Sequence, residues 1–389
     1  MNKAIYIATS EQNSGKSIIT LGLMSMLMGK MAKVGYFRPI IEDIEEGGFD
    51  NHIETVIGHF GMDIEFEDAY AITKSKLIKK KNKGKIGEVL DLIIEKYKKL
   101  EERFDFVLVE GTGFTGEGTV IELDMNVLIA KNLGIPTIIV GSGAGKTLEE
   151  LIDSLYLLYD SFKVKDVEVL AVIANKVQLQ NIELVTNSLK KSLPQNILVN
   201  SIPLIQNLNN PTVQEIVNEL DAKVLFGAAH LNNQTGSFSV GAMQLRNYLL
   251  HLKENSLVIT PGDRADIILG ALQANESLNY PTISGIVLTG NIVPEDSILK
   301  LIEGLSTIVP IIAVEEGTYF ITNKIGSIKS KIYANNKQKI KISIATFEKY
   351  VDLDNLAEKL ITFEAEGMTP KMFQYNLVKR AREHRKHIV

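Results

Sequence analysis

The sequence contains no cysteine, and this absence removes several kinds of site at once. Without thiols the chain cannot form disulfides, use a thiolate nucleophile or bind a metal through cysteine. Histidine is also scarce. The six histidines never form a His-x-x-x-His pair, so we do not expect a zinc site. They stand at positions 52, 59, 230, 251, 384 and 387.

Long apolar runs are absent as well. The N-terminal segment "MNKAIYIATS" turns polar too soon for the core of a signal peptide, and no run approaches the roughly eighteen residues of a membrane span. The net charge is -5 and the pI is near 5.8, so there is no general positive field to attract nucleic acid or a membrane. We therefore expect a cytoplasmic protein that binds neither.

The chain is long enough for more than one domain, because 389 residues with 45% apolar content exceed one ordinary core. Short β-rich runs alternate with helical segments up to about residue 210, a pattern typical of a parallel sheet covered by helices. The segment "IPLIQNLNNPTVQEI" interrupts this alternation, which then restarts. The pattern predicts an α/β domain over 1–210, a smaller α/β domain over 211–345 and a helical linker over 346–389.

Individual elements follow from periodicity and from apolar runs. We predict first-domain strands at Ala4–Ala8, Val34–Arg38, Phe106–Glu110, Thr137–Val140 and Val169–Ala174, with helices at Lys16–Gly29, Lys85–Glu102 and Thr147–Phe162. In the second domain we predict a helix capped by Thr212, strands at Val258–Thr260, Gly285–Thr289 and Ile311–Val314, and a helix at Pro294–Leu305.

The first strand runs into "TSEQNSGKS" and then into an apolar helix, the order that a phosphate-binding loop requires. Backbone N–H groups at a helix start surround an anion, and a glycine there keeps Cβ out of the way. Lys16 would reach the terminal phosphates and Ser17 would hold magnesium. The sequence thus predicts a P-loop NTPase-like fold with helices on both faces of the sheet, which binds a nucleotide through Asn13, Ser14, Gly15, Lys16 and Ser17.

The usual G-x-x-x-x-G-K-[ST] pattern would place glycine where this sequence has Ser10. The missing glycine could strain the tight turn without abolishing the phosphate cradle. Two interpretations remain open at this stage: a working nucleotide site and a structural relic of one.

The loop, together with "VLVEGTGFTG", "IAKNLGIPTIIVGSGAGKTLEELI" and "LAVIANKV", resembles dethiobiotin synthetase over roughly residues 1–205. The resemblance implies that Glu110 and Asp50 bind magnesium alongside Ser17, and that Asn175 reads adenine. Oxygen donors of this kind are the ligands that magnesium prefers. A solvated acid at a strand end for Glu110, an acidic loop residue for Asp50 and a turn residue for Asn175 are the alternatives.

One position departs from that family. Its substrate-binding lysine, in a Lys-Pro pair after the second strand, corresponds to Arg38 in "YFRPI". An arginine does not readily replace the point charge of a lysine in a close pocket. Arg38 therefore counts against an ATP-dependent ligase of the dethiobiotin synthetase type, which is the alternative function. A partitioning ATPase is a further reading, but the extra lysine common early in the loop of such proteins is missing from Thr9–Ser14.

The second domain resembles the DRTGG module of long-form phosphate acetyltransferases in "LNNQTGSFSVGAM", "LVITPGDRADIILGAL" and "GIVLTGNIVPE". Asp263 and Arg264 lie between a predicted strand and helix, a position suited to an anionic or nucleotide ligand. Helix capping with a local Asp–Arg pair is the alternative.

The final segment, "TPKMFQYNLVKRAREHRKHIV", resembles the opening of the acetyltransferase domain of the same family. Thr369 and Pro370 start a helix with Phe373, Leu377 and Ala381 on one face, and 387–389 read as a strand that is cut short. We expect a truncated chain that lacks the catalytic domain. No catalytic residue is assigned, and such a chain would at most bind ATP or hydrolyse it slowly.

The resemblance as a whole implies a regulatory nucleotide-binding region attached to an acyltransferase of acetate metabolism. The complete family protein converts acetyl-CoA and phosphate to acetyl phosphate and coenzyme A, and the reverse. The implied ligands are Mg²⁺ with ATP or another nucleotide as a small-molecule effector. The implied partners are a C-terminal acetyltransferase domain and other copies of the chain in a homo-oligomer.

Overall fold

A computed structural model describes residues 3–9, 11, 13–44, 48–113, 119–305, 309–328, 330–364 and 367–383. The strands are β1 Ala4–Thr9, β2 Val34–Phe37, β3 Ile40–Ile41, β4 Ile72–Thr73, β5 Phe106–Glu110, β6 Thr137–Ser142, β7 Val169–Val177, β8 Leu198–Pro203, β9 Lys223–Phe226, β10 Ser237–Val240, β11 Ser256–Pro261, β12 Ile283–Thr289 and β13 Ile311–Ala313.

The α-helices are α1 Lys16–Met28, α2 Asn51–Phe60, α3 Lys74–Asn82, α4 Ile86–Arg103, α5 Thr119–Leu133, α6 Leu148–Lys163, α7 Ile182–Ser192, α8 Gln206–Asn209, α9 Val213–Leu220, α10 Leu245–Tyr248, α11 Ala265–Glu276, α12 Asp296–Glu303, α13 Thr318–Ser327, α14 Lys337–Tyr350, α15 Leu353–Thr362 and α16 Pro370–Glu383. Within the described ranges, none of the helices combines the length and the apolar character needed to cross a membrane.

The chain divides into two compact units. Residues 1–204 and 332–389 form the first unit, and residues 205–331 form the second. The sequence placed the boundaries at 210 and 345 instead. The structure differs at the second boundary because α14 packs on α1 and α15 contacts β7, so much of the segment expected to be a linker belongs to the first unit.

The first unit is built on a six-stranded parallel sheet in the order β2-β5-β1-β6-β7-β8. Its central strand β1 is fully buried over Ala4–Ala8, as expected for a strand covered on both faces. The predicted α/β architecture with a parallel sheet is confirmed. All five predicted strands of this unit are present, and their carboxyl ends lie at one edge, where ligands bind in such folds.

Strand β8 and helix α5 are among the elements of this unit that were not predicted from the sequence. Strand β8 includes the buried polar residues Asn200 and Ser201, which interrupt its apolar run. Helix α5 shows little amphipathic periodicity. Buried apolar residues such as Ile129 and Ala130 are adjacent on it, whereas a surface helix would show a single stripe.

The second unit has a five-stranded sheet in the order β10-β11-β12-β13-β9, with β9 antiparallel to β13 and the remaining pairs parallel. Alternate residues of β11 enter two different cores. Val258 packs with α11, whereas Leu257 and Ile259 pack with α9 and α13. The helix predicted after Thr212 begins as expected, because Thr212 and Glu215 form a reciprocal capping box.

The last described helix, α16, begins at Pro370 as predicted and packs against α4 and α5. Its buried residue is Met372, whereas Phe373 and Leu377, on the predicted apolar face, are exposed in this chain. The strand predicted at 387–389 lies outside the described residues.

Candidate nucleotide site

The phosphate loop lies between the end of β1 and the start of α1. Gly15 caps the helix in the left-handed region, with φ of +79°. A Cβ atom at this position would lie 2.1 Å from Nδ2 of Asn175, so both the backbone conformation and the space require glycine. Asn13 is also left-handed, with φ of +52°. Ser10, the residue that departs from the usual pattern, lies outside the described residues.

Asn175 of β7 holds this loop through hydrogen bonds to its backbone. Its side chain is fully buried, and Nδ2 donates to the carbonyl of Ser14 at 2.8 Å and to that of Gly15 at 3.4 Å. Its Oδ1 accepts from the backbone N–H of Lys176 at 2.9 Å. Asn175 lies where the pairing of β7 with β8 shifts register, between Ala174 and Val177. Asn175 thus positions the phosphate loop, and its reading of adenine stays a prediction.

Lys16 is buried at the first turn of α1, and its Nζ donates to the carbonyl of Gly111 at 2.6 Å. The ammonium therefore lies between the phosphate loop and the end of β5. Ser14 is only 1% exposed, and its Oγ has no hydrogen-bond partner among the described residues. A buried donor of this kind, beside a lysine and a helix start, suits an oxygen-rich anion.

Glu110 is fully buried at the end of β5. Its Oε2 accepts from Thr20 Oγ1 at 2.7 Å and from Tyr36 Oη at 3.0 Å. Its Oε1 lies 3.0 Å from His52 Nδ1 and 3.9 Å from Arg38 Nε. Glu110 is thus the centre of a buried polar cluster rather than a solvated acid at a strand end.

The ionisation of Glu110 follows from these contacts. Burial alone raises its pKa, since a carboxylate is costly in a dry interior. His52 and Arg38, with a contribution from Lys16, outweigh burial and lower the pKa of Glu110 well below its usual range. The carboxylate is therefore negatively charged at neutral pH.

Asp50 belongs to the same cluster through Arg38. Arg38 Nη1 lies 2.6 Å from Oδ1 and 2.9 Å from Oδ2 of Asp50, and both side chains are buried. Asp50 also caps α2 by accepting from the backbone N–H groups of His52 and Ile53. These contacts occupy its carboxylate, and they hold Arg38 between two acids.

The donor set fits magnesium in part. Ser17 and Glu110 line the same small cavity beside His52, and a hydroxyl and a carboxylate are suitable ligands together with phosphate oxygens and water. The carboxylate of Asp50 fits less well, because Arg38 and two backbone N–H groups already use it. Among the described residues, no group of three acidic or histidine side chains forms a metal site by itself.

Sequence reasoning missed Asn126 of α5. This fully buried amide accepts from Tyr6 Oη at 2.7 Å and from the backbone N–H of Thr112 at 3.0 Å. Its Nδ2 donates to the carbonyls of Thr9 and Thr112. Asn126 therefore joins the ends of β1 and β5, the strands that carry the phosphate loop and Glu110. An asparagine inside the apolar stretch of α5 was the available signal.

In the second unit, Arg264 precedes α11 and fastens it to the end of β10. Its Nη1 and Nη2 donate to the carbonyls of Gly241 and Met243, and its Nε lies 2.8 Å from Asp266 Oδ1. The local acid partner is Asp266, and Asp263 is exposed. This geometry uses much of the hydrogen-bonding capacity of Arg264, and a ligand site at Asp263 and Arg264 stays a prediction.

Comparison with known proteins gives two family matches. A family described as an AAA domain matches residues 3–230, and a DRTGG domain matches residues 215–328. Two curated relatives carry the name phosphate acetyltransferase. The one from Nitratidesulfovibrio vulgaris is 37% identical over 394 residues and the one from Synechocystis is 36% identical over 400 residues. Each match takes in 100% of this chain and 56% of the relative, so the chain spans little more than half of their length.

Solved structures give weaker similarities. An ATP complex of Cyanothece McdA is 14% identical, with a TM-score of 0.35 over 53% of this chain and 85% of that one. The CBS and DRTGG domains of a Clostridium perfringens pyrophosphatase, complexed with the activator diadenosine tetraphosphate, give 15% identity and a TM-score of 0.26 over 45% of this chain and 84% of that one. Similarity at this level identifies neither a ligand nor an activity.

The family matches and the geometry agree on the two parts of this chain. The P-loop sheet falls in the AAA-domain match, and most of the second unit falls in the DRTGG match. The chain belongs to the AAA-domain family, and its P-loop domain followed by a DRTGG domain is the arrangement of the N-terminal region of long-form phosphate acetyltransferases.

Proposed function

We propose that this chain is the nucleotide-binding regulatory region of a cytoplasmic phosphate acetyltransferase. In the complete protein, an acetyltransferase domain following this region would interconvert acetyl-CoA and phosphate with acetyl phosphate and coenzyme A. The relatives of that name, matched over the whole of this chain, support the proposal. The chain alone would regulate and not catalyse acetyl transfer.

The observation that carries the nucleotide site is the supported phosphate loop. Gly15 precedes α1 in the left-handed conformation, Asn175 holds the loop through the Ser14 carbonyl, and Lys16 brings a cation to the same place. When bound, Mg²⁺ would neutralise charge on the phosphates, with Ser17 and Glu110 as its protein ligands. Glu110 is ionised, as this role requires.

The ligase alternative is disfavoured by Arg38. In this structure its guanidinium is buried and lies 2.6 Å from Asp50 and 3.9 Å from Glu110. A side chain fixed between two acids cannot serve a diamine substrate as a lysine would. The cluster instead links α2 to the end of β5, next to Ser17 of α1. Binding or loss of a nucleotide would therefore alter the contacts of α2.

Calorimetric titration tests the proposal. Mg-ATP should bind the purified chain, and Lys16→Ala should weaken binding about tenfold to a hundredfold, since a charge-assisted hydrogen bond is worth roughly 1.5–3 kcal/mol. Lys30→Ala, which removes an exposed lysine after the same helix, is the matched control and should bind normally. Parallel titrations with ADP, NADH, pyruvate and diaminopelargonic acid distinguish a regulatory site from a ligase.

Equal affinities of the wild type and Lys16→Ala for Mg-ATP, or no heat with any nucleotide, would show that the loop is a structural relic. In that case a regulatory ligand would have to bind the second unit, where Asp263 and Arg264 are the candidates. Tight binding of diaminopelargonic acid would favour the ligase instead. Production of acetyl-CoA from acetyl phosphate by this chain would refute the assignment as a purely regulatory region.

A further inference from the structure

A second cation lies next to the phosphate loop and has no role in the site described above. Lys146, in the connection between β6 and α6, places Nζ 3.0 Å from Oε1 and 2.9 Å from Oε2 of Glu11. Glu11 itself belongs to the phosphate loop. The contact therefore joins the loop that follows β1 to the loop that follows β6, and these two strands are neighbours in the sheet.

The loop that carries Lys146 presents one backbone N–H, that of Ser142, to the same carboxylate. Residues 141–147 read "GSGAGKT", and Gly145 adopts φ of +73° just before the start of α6. The backbone N–H of Ser142 donates to Glu11 Oε1 at 2.7 Å. One carboxylate oxygen thus accepts from a backbone N–H and from a lysine ammonium, as a phosphate oxygen does in a phosphate loop.

Glu11 also brings this contact close to Lys16. A point at the ideal Cβ position of Gly113 lies 3.1 Å from Lys16 Nζ and 3.5 Å from the Glu11 carbonyl oxygen. The backbone that carries the Glu11 side chain is therefore near the ammonium expected to bind phosphate. Ser14, whose buried Oγ has no partner among the described residues, belongs to the same loop. Lys16, which follows β1, and Lys146, which follows β6, thus both lie at the phosphate loop.

We propose that Lys146 is a second phosphate-binding cation of this site, and that Glu11 is an internal carboxylate which a nucleoside polyphosphate displaces from it. The inference rests on the proposed nucleotide site. Both side chains are about a quarter exposed, at 24% and 27%, and an ion pair this open to water is weak. A polyphosphate with its larger charge would compete well for the same ammonium and the same backbone N–H.

The test uses Glu11→Gln and Lys146→Met, two nearly isosteric changes that break one ion pair from opposite sides. If Lys146 exchanges Glu11 for phosphate, Glu11→Gln removes the competitor and should tighten Mg-ATP binding about threefold or more. Lys146→Met should weaken binding about tenfold, and the double variant should resemble Lys146→Met. Lys99→Met, which breaks an exposed pair with Glu95 on α4, controls for net charge.

A purely structural pair gives a different pattern. Loss of either partner would then loosen the loop equally, and both variants would change the dissociation constant in the same direction. That result, with normal binding by the wild type, overturns this inference and leaves the proposed function intact. Binding by Glu11→Gln when the wild type binds too weakly to measure would support the inference. No binding by the wild type or any variant would overturn both proposals.

Discussion

The contact between α1 and α14 predicts that a glycine-to-alanine change destabilises the chain at Gly22, although the same change stabilises an ordinary helix position. Gly22 lies in the middle of α1, beneath the fully buried ring of Phe347. A Cβ atom at residue 22 would lie 2.1 Å from Cγ, 2.3 Å from Cδ1 and 2.4 Å from Cβ of Phe347. All three distances are far below van der Waals contact, so Gly22→Ala forces the two helices apart.

The magnitude follows from two opposing terms. Alanine ordinarily gains about 1 kcal/mol over glycine inside a helix, whereas overpacking a tight contact costs about 1–3 kcal/mol. With three contacts this short, we expect Gly22→Ala to lower the free energy of unfolding by about 1–2 kcal/mol. Phe347→Ala should lower the free energy of unfolding by about 3–5 kcal/mol. The double variant should lose at least about 1 kcal/mol less of its free energy of unfolding than the sum of the two, because the contacts of the new methyl group with the ring atoms Cγ and Cδ1 are removed.

Gly58→Ala is the matched control. Gly58 is an exposed position in α2, where a Cβ atom would have Ala334 Cβ as its nearest neighbour at 3.9 Å. This variant should gain up to about 1 kcal/mol. The free energy of unfolding of the four variants is measured in urea. Hydrogen exchange of peptides from α1 and α14 then reports the unfolding of the first unit separately from that of the second. If Gly22→Ala is as stable as Gly58→Ala, then α14 does not pack on α1 as described.

Three further outcomes are expected at the nucleotide site. Gly15→Ala should abolish Mg-ATP binding in calorimetry, because its Cβ would collide with the Asn175 amide in a backbone conformation that alanine avoids. Arg38→Ala should destabilise the chain by about 3–5 kcal/mol in urea, since it leaves Asp50 and Glu110 buried without their shared cation. The pKa of Glu110 is lowered on folding, so its stabilising effect is complete above the ordinary carboxyl value of 4.5 and is lost as pH falls below it. The difference in melting temperature between wild type and Glu110→Gln should therefore shrink on acidification, and a constant difference would contradict the assignment.

The parts that sequence predicts best depend on local pattern. The strand Ala4–Ala8, the glycine at position 15 and the helix start at Lys16 follow from apolar runs and from the stereochemistry of a helix start, and the structure contains all three. The helix after Thr212 is likewise visible as a capping box in the sequence. Such features need only a few neighbouring residues.

The polar cluster depends instead on contacts between distant segments. Glu110 contacts Thr20 of α1, Tyr36 of β2 and His52 of α2 because β5 lies between β2 and β1 in the sheet. No local sequence pattern predicts this strand order. The sequence therefore indicated an acid at a strand end without its partners. The return of the chain to the first unit after Lys331 was not predicted for the same reason. The sequence of α14 does not indicate that this helix packs on α1.

The return of α14 to α1 constrains the order in which this protein can mature on the ribosome. Helix α1 is made early, yet its covering residue Phe347 emerges only after all of residues 205–331 have been synthesised. Until then the apolar surface around Gly22 is exposed to solvent and to other nascent chains. Early folding of the second unit would shorten the effective loop that α14 must close and so reduce its entropic cost. The middle of the polypeptide would thus become compact before the helical cover of the nucleotide-binding sheet is complete, against the simple order of synthesis from the N-terminus.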